Sequence, residues 1–422
     1  MDLRPESSSS WRAAHLALAL LMLLVWCSCG DTFRPVAIPV PPSPPDPSSF
    51  HYVLTLSSNG PDNPGASSRI DVSGDTNVGV AKVGLGPVHM ALLPNASRVY
   101  IANSLEDTVS TYLPSDATKV TTVSLPSGSM PVFVQSAQND LMYVANFGNA
   151  TVGVISAANN LLTSTIPVGQ NPVALAETPD AKKLYAVNQG SGTVTSINTV
   201  DKSVVATIAV GSTPVWAVAR TDSARVYVLN QGSGTVSVID TSSDTVLNTA
   251  SVGAGANFML YDKTRNRLYV TNPAANTLTV LDVAVDPPST LFVVPVPASP
   301  VSVAALPDGS RVYVGSTLTS AGNESAQVTI VNASDGTIRG AQTLSTVTAV
   351  CDPNTRFRVF VAASADNSKV YVANCDAGNT TIIRTSDDAQ VLDMPAPVSA
   401  FPPPAPGEQP PPQNPVFVVS GP

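Results

Sequence analysis

A tyrosine recurs along this chain at Tyr100, Tyr143, Tyr185, Tyr227, Tyr269, Tyr313 and Tyr371, at spacings of 43, 42, 42, 42, 44 and 58 residues. A period of this length leaves few folds open. A 42-residue unit cannot bury a core alone, so each copy must pack against its neighbours. The copy around Tyr227 shows the unit: strand a is Pro214 to Ala219, strand b is Arg225 to Leu229, strand c is Thr235 to Asp240 and strand d is Thr245 to Val252. Gly253 then turns the chain toward the next unit. Four short strands per repeat predict an all-β chain of four-stranded antiparallel propeller blades. The composition fits, with 12% charged residues and 26 Gly and 38 Pro to make turns.

The other copies keep the same phase. Strand a opens with Pro-Val at Pro87, Pro131, Pro172, Pro214 and Pro300. Proline lacks a ladder donor and is tolerated at the first residue of a strand. Asn follows Tyr by three at Asn103, Asn146, Asn188, Asn230, Asn272 and Asn374, and Ser316 is the one departure. Lys or Arg precedes Tyr by two at Arg98, Lys183, Arg225, Arg267, Arg311 and Lys369, with Leu141 the exception. These residues resemble the YVTN family of β-propellers, named for a Tyr-Val-x-Asn signature, and Tyr269-Val270-Thr271-Asn272 matches it literally. The resemblance covers residues about 86 to 400. It implies the fold strongly and the activity weakly, since such propellers serve in surface-layer and exported proteins and are similar to domains of several cofactor enzymes.

The two ends of the chain carry one further blade between them. Tyr52 to Ser57, Ser68 to Val72 and Val78 to Val83 read as strands b, c and d without a strand a. Asn414 to Val419 looks like a strand a with nothing after it. Together they predict eight blades, closed by the N- and C-terminal strands, against seven in the alternative arrangement. Closure removes the free edge that a sheet would otherwise expose. The propeller then spans 50–422, with 395–415 a Pro-rich crossover and 415–420 the closing strand.

The N-terminus reads as an address. Arg4 and Arg12 precede an apolar run from Ala13 to Trp26, too short to span a bilayer with ease. Cys27-Ser28-Cys29-Gly30 follows and resembles the lipobox of bacterial lipoproteins, which implies cleavage after residue 28 and lipidation of Cys29. An ordinary cleaved signal peptide is the alternative. Residues 29–49 are rich in proline, including Pro39, Pro41, Pro42, Pro44, Pro45 and Pro47, and favour an extended polyproline II stalk. These features place the protein in the bacterial cell envelope, lipid-anchored and facing the periplasm or the cell surface.

The sequence offers little for catalysis. The three histidines are His15, His51 and His89, without metal-ligand spacing. Gly190-Ser191-Gly192 and Gly232-Ser233-Gly234 recur in phase, which makes them b–c turns and not phosphate loops. No catalytic, cofactor or metal site is expected. The signature Asn residues are expected to bond turn backbone, with an amide ring around the channel mouth as the alternative. The bases two before Tyr are expected to pair with acids such as Asp180, Asp222 and Asp308 or, unpaired, to form a positive crown. Cys351 and Cys375 fall in connections on the same face, so an exported chain can join them in a disulfide. Leu318 to Ala326 and Cys351 to Phe357 leave the repeat pattern, and loops that break a regular scaffold often carry binding.

The expected function is a membrane-tethered binding or scaffold module for an envelope or surface protein or polysaccharide. The alternative is a propeller enzyme, either a lactonase-like hydrolase or a component of a cofactor-linked oxidoreductase. A net charge of −9 argues against a nucleic-acid partner.

Overall fold

The computed structural model describes residues 51–138, 140–297, 299–320, 323–344, 351, 355–397 and 414–421. The expected signal peptide, Cys29, the linker to residue 49 and most of the Pro-rich crossover lie outside the described residues. Every regular element among the described residues is a strand, and the strands form eight four-stranded antiparallel sheets.

The innermost strands are β32 (Asn414–Ser420), β4 (Pro87–Leu92), β8 (Pro131–Ser136), β12 (Pro172–Glu177), β16 (Pro214–Ala219), β20 (Phe258–Asp262), β24 (Ser299–Ala305) and β28 (Val359–Ala363). Each touches the next, β28 touches β32 and β32 touches β4, so the ring is closed. The protein is an eight-bladed β-propeller. Blades 2 to 8 start at β4, β8, β12, β16, β20, β24 and β28 and run outward in chain order. Blade 1 is composite: β32 pairs antiparallel with β1 (Tyr52–Ser58), which pairs with β2 (Pro64–Asp71) and β3 (Thr76–Leu85). Leu54 faces Val419 and Leu56 faces Phe417 across that joint.

Burial follows position in the blade. The second strand of each repeat is covered on both faces by adjacent blades, so it reads as a near-continuous apolar run. All seven signature tyrosines are fully buried. The outermost strands alternate, as in β19 (Thr245–Ser251), which leaves Leu247 exposed. At Gly192 and Gly234 the b–c turn takes a positive φ of 64° and 65°. A Cβ at Gly234 would come within 2.2 Å of the Ala254 backbone nitrogen, so these glycines serve turn geometry.

One blade departs from the rest. In blade 7, β25 (Arg311–Ser320) and β26 (Asn323–Asn332) pair from Arg311↔Asn332 out to Ser320↔Asn323. Most other second and third strands are six residues long, and the expected loop at Leu318–Ala326 is instead an extension of this hairpin. β24 pairs with β25 only as far as Thr317, and β27 (Ile338–Thr343) pairs with β26 only from Gln327. Beyond those points the ribbon has two strands and, among the described residues, two unpaired edges.

Candidate functional site: a capped channel

Proline at the head of strand a decides what faces the channel. In β4, β8, β12, β16 and β24 the pairing register shifts just after the proline, so the next residue is bulged out of the ladder. A bulge re-aims the side chain that follows it. That third residue is His89, Phe133, Ala174, Trp216 and Ser302 in turn, and Phe258, Phe360 and Phe417 hold the equivalent register in β20, β28 and β32.

Six of these side chains form a closed circuit of rings. His89 stacks on Phe133 with centroids 3.9 Å apart, and Phe133 meets Trp216 at 5.4 Å. Trp216 meets Phe258 at 4.8 Å, Phe258 meets Phe360 at 5.5 Å, Phe360 stacks on Phe417 at 4.2 Å, and Phe417 returns to His89 at 4.6 Å. Phe357 enters this circuit from the connection ahead of β28 and touches Trp216, Phe258 and Phe360. The channel is therefore plugged by aromatic packing, with pair geometries that favour edge-to-face and offset contacts. His89 is part of the plug and not a ligand. Burial, with the Arg356 charge adding to it, drives its imidazole down to about 3. The neutral ring accepts the Val134 N–H at Nδ1, 3.4 Å away.

Arg356 completes the cap. Its guanidinium donates to the Val173 and Val215 carbonyl oxygens at 3.1 and 2.7 Å. Those residues are the bulged positions of blades 4 and 5, across the ring from blade 8. The same guanidinium lies 5.1 Å from the Trp216 ring centre and 5.3 Å from that of Phe357. Arg356 keeps accessible surface, but it lies inside a ring of protein, and the loss of bulk water holds its group down at about 10. It remains charged at neutral pH. Cys351 and Cys375 are joined in a disulfide that fastens this connection to the b–c turn of blade 8. Beside it Arg358 pairs with Asp376, whose carboxyl is pushed up by burial and drawn back by that guanidinium.

The repeat signature does other work. Tyr and the base two before it point to the same face of strand b, and in blades 4, 7 and 8 both reach the c–d turn of the next blade. Lys183 Nζ and the Tyr185 hydroxyl both bond Asp244, at 2.5 and 2.6 Å. Arg311 and Tyr313 share Asp388, and Lys369 and Tyr371 share Asp75. Arg225 reaches Asp286 and its own blade's Asp240. The expected partners Asp180, Asp222 and Asp308 are otherwise engaged. Asp180 pairs with Lys182, Asp222 with Arg220, and Asp308 accepts the Ser310 N–H. Those acids follow their own hairpin turn, whereas the strand-b base faces the neighbouring blade. Leu141 also becomes intelligible: the turn it faces presents Lys202, which approaches Tyr143 at 3.4 Å and would repel a base.

The signature asparagines are buried, so no amide ring surrounds the mouth. Nδ2 of Asn103, Asn188 and Asn230 donates to the hydroxyls of Thr108 and Ser110, Thr193 and Thr195, and Thr235 and Ser237, at 2.9–3.1 Å. Asn146 donates to Thr151. Only Asn272 bonds turn backbone in the way expected, accepting the Ala274 and Ala275 N–H groups. Asn374 is buried in blade 8. Sequence reasoning missed the plug and Arg356. A signal for the plug was available: two residues after the strand-a proline stand His89, Phe133 and Trp216, with Ala174 and Ser302 at the other copies.

Comparison with known proteins supports the architecture. No protein-family profile and no curated protein sequence matches the chain. Among solved structures, Kuenenia stuttgartiensis hydrazine synthase is 20% identical with a TM-score of 0.55, covering 71% of this chain and 96% of that one. The dihydro-heme d1 dehydrogenase NirN, in complex with DHE, is 12% identical with a TM-score of 0.66, covering 82% and 73%. Apo AztD from Citrobacter koseri is 11% identical with a TM-score of 0.63, covering 88% and 98%. At these identities the likeness speaks to the propeller fold alone, and the neighbours bear names of different functions.

Proposed function

We propose that this protein is an exported, membrane-tethered propeller that binds a protein or polysaccharide of the bacterial envelope through its b–c face. The tether is a lipidated Cys29 after a signal peptide of residues 1–28, followed by the Pro-rich stalk of 29–49. The in-phase Tyr-Val-x-Asn copies and the ring itself support membership of the YVTN propellers.

One observation carries the binding face. The departures from the repeat converge on one sector of the ring: the extended hairpin of blade 7, the Arg356 cap and the Cys351–Cys375 disulfide. All lie on the side of the b–c turns and the blade-to-blade connections. A rigid scaffold that varies in one place places recognition there. A two-stranded ribbon with free edges favours a protein partner, which can add an extended segment to it by backbone hydrogen bonds.

The test compares full-length protein with a variant in which residues 317–326 are replaced by the short b–c turn of blade 5, residues 230–234. Both are screened against envelope proteins and glycans. The expected result is a partner retained by the native chain and lost by the variant at unchanged melting temperature. Equal binding by both would move the site elsewhere. Cys29→Ala is expected to shift the protein out of the membrane fraction, and unchanged partitioning would overturn the anchor.

A further inference from the structure

The channel has a second end. On the face of the a–b hairpins, opposite the cap, the lower ends of β8, β12, β16 and β20 line an open groove of about 280 Å³. Leu175, Val218, Leu260 and three alanines form its apolar wall, and Gln135, Glu177 and Tyr261 supply its polar groups. A small concave site with an apolar wall and a few convergent polar groups is the ordinary form of a ligand pocket.

One polar atom of the groove is without a donor. Glu177 Oε2 accepts the Gln138 backbone N–H at 3.0 Å, but Oε1 is buried without a partner. Gln135 Nε2 gives one of its two hydrogens to the Ser136 carbonyl. The Tyr261 hydroxyl donates to Asn266 Oδ1 at 2.8 Å. No lysine or arginine lines the groove. A buried acceptor without a donor is costly, more so when it carries charge.

We infer that this groove binds a small aliphatic amine, with its ammonium on Glu177 and its carbon stem along Leu175, Val218 and Leu260. The occupant brings the donor that Glu177 Oε1 lacks and a positive charge that the lining does not hold. The geometry of the groove argues for a short stem, since its volume stands at the lower limit of small-molecule sites.

The ionisation of Glu177 supplies an independent reading of the same contact. Burial raises its carboxyl to about 7, against the Gln138 N–H and the Lys202 charge, which lower it, while Asp180 adds to the rise. A bound ammonium favours the carboxylate, so binding releases a proton and strengthens as pH rises. The charged groups around the carboxyl are Lys202, which burial lowers from its ordinary value, and Asp180, where burial is outweighed by bonds from Thr178 and Lys182 that hold it below its own.

The experiment is calorimetric titration of the full-length protein with n-pentylamine, with n-pentanol and pentanoate as neutral and anionic counterparts. The amine is expected to bind best. Its affinity is expected to rise about ten-fold between pH 6 and 8, following the ionised fraction of a group near 7. Glu177→Gln is expected to cost about ten-fold at pH 8, the loss of one charge-assisted contact, and to flatten the pH dependence. Gln135→Glu is expected to tighten binding, which keeps the test decisive if the first variant is poorly folded. Pentanol binding as well as the amine, an amine affinity indifferent to Glu177→Gln, or no heat from the amine would each overturn the inference.

Discussion

At the scale of single residues, the repeat signature is a set of staples between blades. Asp244 is the common acceptor of Lys183 and Tyr185 and is 8% exposed. Asp244→Ala leaves a buried phenol and a half-buried ammonium without their partner. We expect a loss of about 2–3 kcal/mol in urea unfolding, with Asp244→Asn recovering part of it. His89 gives a pH prediction. Its folded value of about 3 lies below the unfolded value of 6.5, so the unfolded chain takes up a proton first as pH falls. Its destabilising contribution begins below pH 6.5 and grows by up to about 1.4 kcal/mol per pH unit toward pH 3. Comparing His89→Phe with the native protein across that window isolates it. The difference in stability should widen as pH falls, and a constant offset would contradict the buried, neutral ring.

At the scale of elements, the sequence pattern was legible wherever it was local. Tyr-Val-x-Asn and the strand-a prolines mark β4 to β31 because strand, turn and strand lie within one 42-residue unit. The half-blade at 52–85 was legible for the same reason, and Asn414 to Val419 matched the strand-a pattern of Asn171 to Ala174. What stayed hidden was contact across the ring. Arg356 meets Val173 and Val215 at sequence separations of 183 and 141, and Lys183 meets Asp244 61 residues away. The Arg356 contacts cross the ring and follow no repeat period, and the Lys183–Asp244 contact needs the strand-to-neighbour geometry of the ring before its separation can be read. The hairpin of blade 7 reads as a loop in the sequence because Ser316 stands in place of the signature Asn and Leu318 to Ala326 leave the repeat pattern. The connection ahead of β28 also has a testable energetic role. Cys351 and Cys375 are separated by 24 residues. In the loop-entropy account, the double substitution to Ser should cost about 3 kcal/mol. It should also loosen Phe357 within the plug, read as increased fluorescence quenching of Trp216 by iodide.

At the scale of the whole molecule, eight sheets share no single core and depend on an unbroken circuit of inner strands. Deleting residues 414–422 removes β32, strips the inner edge of β1 and takes Phe417 from the ring of aromatics. We expect a fall in melting temperature of more than ten degrees, roughly the effect of several kcal/mol on a chain of this size, together with concentration-dependent aggregation. An unchanged melting temperature would show that the joint in blade 1 is dispensable.

That joint also fixes a chronology. Leu54 cannot meet Val419 until nearly the whole chain has left the ribosome. During synthesis the early blades can stack one on another as an open arc, with β1 waiting at one end and the interior side of every inner strand unsealed. The last seven-residue strand then shuts the circle in one late, long-range event of the slow kind. A nascent or truncated chain is thus distinguishable from a finished one by a single exposed strand edge. That edge is where a chaperone would need to bind, and where a protease could tell an incomplete copy from a complete one.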